Sequence, residues 1–265
     1  MESIFLNCNG LTLISRMKKE KKTFSYYVTN SSGGIIYDNK KIIFGDKWVK
    51  EEFMLYNKTK KELKKHGELP PPEDKIDYIG ITPISEYYKI FTDVGSIDIN
   101  SAYHSAAHIL GFFSDELYQE YKQATKKIRL RTFGATASGK NWVHIQNGII
   151  SSIDPEKENN LKGYFFYAAK YVAECMESIK RELKSDFYFY WVDCVFFKNT
   201  PENRQKVKEI LTQYLFEFHD SITDWVIYEN KGRHFSLTRC AEGREKKYLF
   251  TNKEYYVNLR NNLKL

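Results

Sequence analysis

Apolar and polar residues change their period several times along the chain, and each change marks an element. Over residues 1 to 45 short apolar stretches alternate with turn signals such as Asn30-Ser31-Ser32-Gly33-Gly34. Ile35-Ile36-Tyr37 followed by Lys41-Ile42-Ile43-Phe44 predicts a hairpin in a small β-rich region. Residues 47 to 66, rich in Lys and Glu with Trp48, Phe53, Leu55 and Leu63 loosely spaced for a helix, predict a helix that Pro70-Pro71-Pro72 ends. Its lysine-rich run at 58 to 65 reads as a solvated face. A linker is expected to about residue 80. Tyr87 to Ile90 and Ser96 to Asn100 then read as strands, and Ala106 to Leu110 and Asp115 to Leu130 as helices. Residues 164 to 184, with Phe165, Ala168, Val172, Met176, Ile179 and Leu183 at helical spacing, give the best amphipathic helix. Phe187 to Lys198 reads as one aromatic and β-branched strand interrupted by Asp193. A helix over Glu202 to Phe218 and strands around Trp225 to Tyr228 and Phe235 to Thr238 follow, with no internal repeat.

At 265 residues, 42% hydrophobic and 28% charged, the chain is a folded protein, and disorder is excluded. A net charge of +7 is a modest basic excess that makes nucleic acid the first partner to test. An aromatic share of 16% fits either a rigid core or base-stacking platforms, and composition does not choose between them. Cys8, Cys175, Cys194 and Cys240 form no CxxC pair, so neither a zinc site nor a disulfide framework is signalled. The stretch Ile4 to Leu13 makes a poor signal peptide and no run reaches the length of a bilayer span, so a cytoplasmic location without membrane is expected.

Two aspartates, Asp98 and Asp193, each fall inside an apolar strand, where an unpaired carboxylate is costly to bury. One account pairs each with a Lys or Arg. The other brings both to a divalent metal, which takes hard oxygen ligands.

The flanking residues bear on that choice. Asp98-Ile99-Asn100-Ser101-Ala102-Tyr103-His104-Ser105 resembles motif A of the family B DNA polymerases, DxxSLYPS, in the DINSAYP form of protein-primed and phage-type members, departing from it at His104. Phe189-Tyr190-Trp191-Val192-Asp193-Cys194-Val195-Phe196-Phe197 is similar to that family's motif C, YGDTDSIFF, with Asp193 at the second aspartate and Trp191 where the first usually stands. Between them, Lys126-Lys127-Ile128-Arg129-Leu130-Arg131-Thr132-Phe133-Gly134 resembles motif B, KxxxNSxYG, without its Asn-Ser core. Lys246-Lys247-Tyr248 resembles the KxY element that holds the primer strand; a solvated basic turn is the competing reading, while Arg233, Arg239 and Arg244 nearby suit a phosphate-tracking strip. Gly134 to Lys140 does not fit a P-loop.

The resemblance covers roughly residues 87 to 250. It implies an α+β fold: a palm-like antiparallel sheet backed by helices, with short fingers and a reduced thumb, preceded by the small β-rich N-terminal region. The expected division is 1–80 as an N-terminal region and linker, 81–200 as palm with short fingers, and 201–265 as palm end and vestigial thumb. Lys126 follows Asp98 by 28 positions, too few for the insertion of protein-primed members, and the chain before motif A is too short for a proofreading exonuclease. The implied function is template-directed DNA polymerisation of low processivity in a phage or mobile element, hence in a host cytoplasm. Primer synthesis, terminal-transferase-like addition and an inactive DNA-binding module are the alternatives. The implied site has Asp98 and Asp193 as catalytic metal ligands for magnesium or manganese, with Tyr103 as a steric gate under the sugar. Lys126, Lys127, Arg129, Arg131 and Phe133 are implied at the nucleotide, and Lys246, Lys247 and Tyr248 on DNA. A primer-template, dNTPs and a replication accessory protein are the implied partners.

Overall fold

Capping residues and strand-forming runs sort the chain into helices and strands. The computed structural model describes residues 2–6, 10–28, 32–45, 49–73, 76, 79–81, 88–137, 141–154, 160–230, 234–241 and 243–251. In chain order the elements begin with β1 (Glu2–Leu6), α1 (Gly10–Lys19), β2 (Phe24–Val28), β3 (Ser32–Tyr37), β4 (Lys40–Gly45), α2 (Lys50–Lys65) and β5 (Ile79–Ile81). There follow β6 (Tyr88–Ile99), α3 (Ala102–Ile109), α4 (Asp115–Gln123), α5 (Lys126–Ala137), β7 (Trp142–Gln146), β8 (Ile149–Asp154) and α6 (Lys162–Leu183). The last are β9 (Phe187–Trp191), β10 (Cys194–Lys198), α7 (Pro201–Gln213), β11 (Phe218–Asn230), β12 (His234–Ala241) and β13 (Arg244–Thr251). The fold is α+β, with seven α-helices among the described residues and two sheets whose pairs are antiparallel except β1 with β4.

The compact units are not the three consecutive segments expected from the sequence. Unit I takes Met1–Glu73 and Leu110–Tyr167, and unit II takes Asp74–Ile109 and Ala168–Leu265. The reason is long-range strand pairing: β6 pairs with β10 on one side and β11 on the other, so the chain before residue 110 joins the chain after residue 187.

Unit II is built on a seven-stranded sheet ordered β13-β12-β11-β6-β10-β9-β5. The two strands predicted between Tyr87 and Asn100 form the single strand β6; Tyr87 itself lies outside the described residues. Gly95 is required on β6, because a Cβ there would come within 2.6 Å of the Phe197 ring on β10. The expected strand Phe187 to Lys198 is instead a hairpin whose two-residue turn is Val192-Asp193. Tight hairpin turns need a positive φ, and the turn places it on Val192 at 56°, a costly value for a β-branched residue. No Gly or Asn marks this turn, so local pattern does not betray it. Helix α6 buries Val172, Cys175, Met176 and Ile179, and Tyr190 of β9 donates to its Glu177 at 2.8 Å. Burial pushes the Cys175 thiol up to about 12. The helix expected to run to Phe218 stops at Gln213, and Phe218 opens β11.

Unit I carries the sheet β1-β4-β3-β2-β7-β8. Its predicted hairpin is β3 and β4, but the region also holds α1, which the β-rich reading of residues 1 to 45 did not foresee. Ile14 and Met17 of α1 pack with Phe24, Ile35, Phe44 and Ile145, so ten residues suffice once one face is buried. The helix expected over Asp115 to Leu130 is two helices. Ala124 is extended at ψ 151°, and the Thr125 hydroxyl accepts the Ile128 N–H, which starts α5 afresh. Phe113 stacks on Tyr121 with centroids 5.1 Å apart, and Phe133 meets Phe113 and Phe165 edge-on at 4.9 and 5.3 Å. Tyr121, fully buried and held by desolvation at about 12, pairs its hydroxyl with Thr59 Oγ1 at 2.7 Å.

Arg131 of α5 donates to both carboxylate oxygens of Glu52 on α2, at 2.9 and 3.0 Å, while Glu52 also accepts the Val49 N–H. The Glu52 side chain is 2% exposed and Arg131 12%. Removing one partner strands a buried charge, so Arg131→Met is expected to cost about 3 to 5 kcal/mol in urea denaturation. Adding Glu52→Gln to that variant should restore most of the loss, because no charge is then left unpaired and the Val49 N–H keeps an acceptor.

Candidate functional site

The two sequence-marked aspartates come from different elements, and β6 brings them together. Asp98 stands one residue from the end of β6, in register with Cys194 of β10 and with His219 of β11. Asp193 is the second residue of the β9–β10 turn, and its carbonyl accepts the Ile99 N–H at 2.9 Å. That bond fastens the turn to the strand end immediately beyond Asp98. The placement corrects the premise that both carboxylates are buried inside strands. Asp98 is exposed, Asp193 is half-buried, and Asp193 sits on a turn. Alternation explains Asp98: Ile97 and Ile99 are 0% and 1% exposed and face the core, so the residue between them faces the other way.

Tyr103 sits in the first turn of α3, half-buried, on the corner that follows Asp98. Ser101 makes the corner with φ 52°, and its carbonyl accepts the N–H groups of His104 and Ser105 at 2.9 and 3.0 Å. The Ser105 hydroxyl donates to the Asn100 carbonyl, and the Asn100 N–H to that of Glu217. These bonds fix how the chain leaves Asp98 and delivers Tyr103. Trp191, where motif C usually has its first aspartate, packs against a cluster containing Phe91, Phe189, Phe196 and Val226.

The remaining expected residues fare differently. Lys126 and Lys127 are exposed at the start of α5, in unit I. Arg129 donates to the Lys122 carbonyl at 3.4 Å. Arg131 pairs with Glu52, with its side chain 12% exposed. Phe133 is 1% exposed among other rings, so it is a core residue with no face for a nucleotide. Lys246-Lys247-Tyr248 lie on β13, a strand rather than a turn. Lys247 is exposed and pairs with Glu229 at 3.2 Å, while the side chains of Lys246 and Tyr248 fall outside the described set.

Asp98 and Asp193 offer the hard oxygen donors that a magnesium or manganese ion takes. Magnesium is commonly held by one or two carboxylates together with substrate phosphates rather than by a protein cage. The described residues contain no group of three or more His, Cys, Asp or Glu placed to hold a metal. Sequence reading missed His219, which is in register with Asp98 on β11 and had no local signal, being placed by strand pairing. Arg239 of β12, one of three arginines near Lys246 that the sequence offers as a phosphate-tracking strip, lays its guanidinium over the Phe196 ring.

Among the described residues no helix is long and apolar enough to cross a membrane. No protein-family model matches the chain, and no curated protein matches it.

Proposed function

We propose that this protein is a nucleotidyltransferase that extends the 3′-hydroxyl of a DNA primer with deoxynucleotides on a template, a reduced polymerase of the family B type. The observation that supports it is the juxtaposition of Asp98 and Asp193. A motif A-like strand end and a motif C-like hairpin turn, far apart in the chain, are neighbours in one antiparallel sheet. That sheet is the counterpart of a palm in this reading.

Asp98 and Asp193 would hold the divalent ions, and magnesium bound there would supply Lewis-acid stabilisation of the phosphoryl oxygens and lower the pKa of the attacking hydroxyl. The reaction forms a phosphodiester at the α-phosphorus and breaks the α–β anhydride, releasing pyrophosphate. Pairing on both sides fixes the backbone at Asp98, so the strand end that carries the carboxylate is preorganised. Tyr103 supplies the floor beneath the sugar and excludes a 2′-hydroxyl by shape. The part of Lys126 and Lys127 at a nucleotide rests on the resemblance alone.

Trp191 favours a second reading, a DNA-binding module without catalysis, because it puts an indole where the family has a metal ligand. The two readings part on incorporation of labelled dNTPs into a primer-template. Asp98→Asn and Asp193→Asn should each lower incorporation by about a thousandfold while leaving the thermal midpoint nearly unchanged. Activity within tenfold of the parent in either variant would overturn the metal-ligand assignment. No incorporation by the parent protein with magnesium or manganese would favour the binding module.

Tyr103→Ala should raise the use of ribonucleotides relative to deoxynucleotides. The change belongs in the ratio of kcat/KM values and amounts to about 2 to 4 kcal/mol if the ring excludes by shape. An unchanged ratio in a folded, active variant would return Tyr103 to a structural role.

A further inference from the structure

On the face of the unit II sheet that carries Asp98, Arg239 pairs with no carboxylate among the described residues. Ser96 and Asp98 are two residues apart on β6 and share a face, with Phe196 and Ser221 in register with Ser96, and Cys194 and His219 in register with Asp98. Arg239 comes from β12 and lays its guanidinium over the Phe196 ring, 5.5 Å from the centroid, within cation–π range. Its Nη2 donates to Ser221 Oγ at 3.3 Å. Among the described residues no carboxylate pairs with it, and its buried Nε has no acceptor. A buried donor left unsatisfied needs a reason. A planar fork fixed on an aromatic ring is the group suited to phosphate oxygens.

We propose that Arg239 is the seat for a backbone phosphate of a nucleic-acid strand lying along the Asp98 face of the sheet. The guanidinium lies over Phe196, which is in register with Ser96, two residues before Asp98 on β6. Ser221 and Phe196 orient the fork, and the remaining N–H groups are left for the ligand. The inference rests on the polymerase reading for the direction of the strand, but its test does not need catalysis.

The test is fluorescence anisotropy of a labelled hairpin primer-template from about 50 to 200 mM salt, with the intact chain and its Arg239→Met and Arg239→Lys variants. Methionine keeps an apolar stem over Phe196 and removes the charge. Arg239→Met should bind about tenfold more weakly at the lower salt, in the range of a lost charge-assisted hydrogen bond. Its plot of log K against log salt should flatten by about 0.9, one phosphate contact fewer. Wild-type affinity and slope in the folded variant would overturn the proposal. Should Arg239→Met fail to fold, Arg239→Lys decides: weaker binding with an unchanged slope supports a phosphate held by the fork, and full affinity overturns it. In the extension assay the KM for dNTP should stay within about twofold. A raised KM with unchanged DNA affinity would assign Arg239 to the nucleotide and overturn the strand assignment. Failure of the parent protein to incorporate nucleotides, with the loss of DNA affinity observed, would sink the polymerase reading and leave this one standing.

Discussion

Strand β6 is hydrogen-bonded along both edges, to β10 and to β11, and the arrangement of unit II follows from that double pairing. Because side chains alternate along a strand, the same pairing that buries Ile97 and Ile99 turns Asp98 outward. A register slip of one residue would bury the carboxylate and expose both isoleucines, at about 1.5 to 3 kcal/mol for each apolar side chain moved. The Ile99 N–H to Asp193 carbonyl bond then ties the hairpin turn to the same strand end. Holding a valine at φ 56° in that turn is a local cost borne by the surrounding sheet. Positions under such strain gather where the chain must aim a particular residue, here Asp193.

The aromatic richness of the chain goes largely into its core. In unit II, Phe187, Phe189, Tyr190, Phe196 and Phe197 are all 2% exposed or less. In unit I the rings of Phe113, Tyr121, Phe133 and Phe165 form a contiguous packed set. Phe196 stacks on Phe189 at 4.2 Å and also carries the guanidinium of Arg239. Rings of this size pin side-chain rows in place, which suits a site that depends on orienting a few charges.

Much of the secondary structure is legible in the sequence where one period persists. The long helix α6 shows its apolar stripe over 22 residues, and the Asp98 strand leads into α3 as its residues suggest. The hairpin at Val192-Asp193 is hidden because its turn lacks the glycine or asparagine that a positive φ favours. The break between α4 and α5 depends on a single capping threonine, Thr125. Long-range partnerships are least visible. Nothing near Arg131 announces Glu52, 79 residues away, so the sequence does not show that this guanidinium is half of a buried ion pair. The discontinuous units escape for the same reason, as strand partners are chosen by tertiary packing rather than by neighbours in sequence.

The position of bound metal tests the central claim most directly. Crystals grown with manganese, a primer-template and a non-hydrolysable dNTP analogue, examined by anomalous scattering, should show manganese between Asp98, Asp193 and the triphosphate. Two ions about 3.5 to 4 Å apart are expected there. Anomalous density elsewhere on the protein, with none touching Asp98 or Asp193 while the nucleotide is bound, would contradict the proposed site.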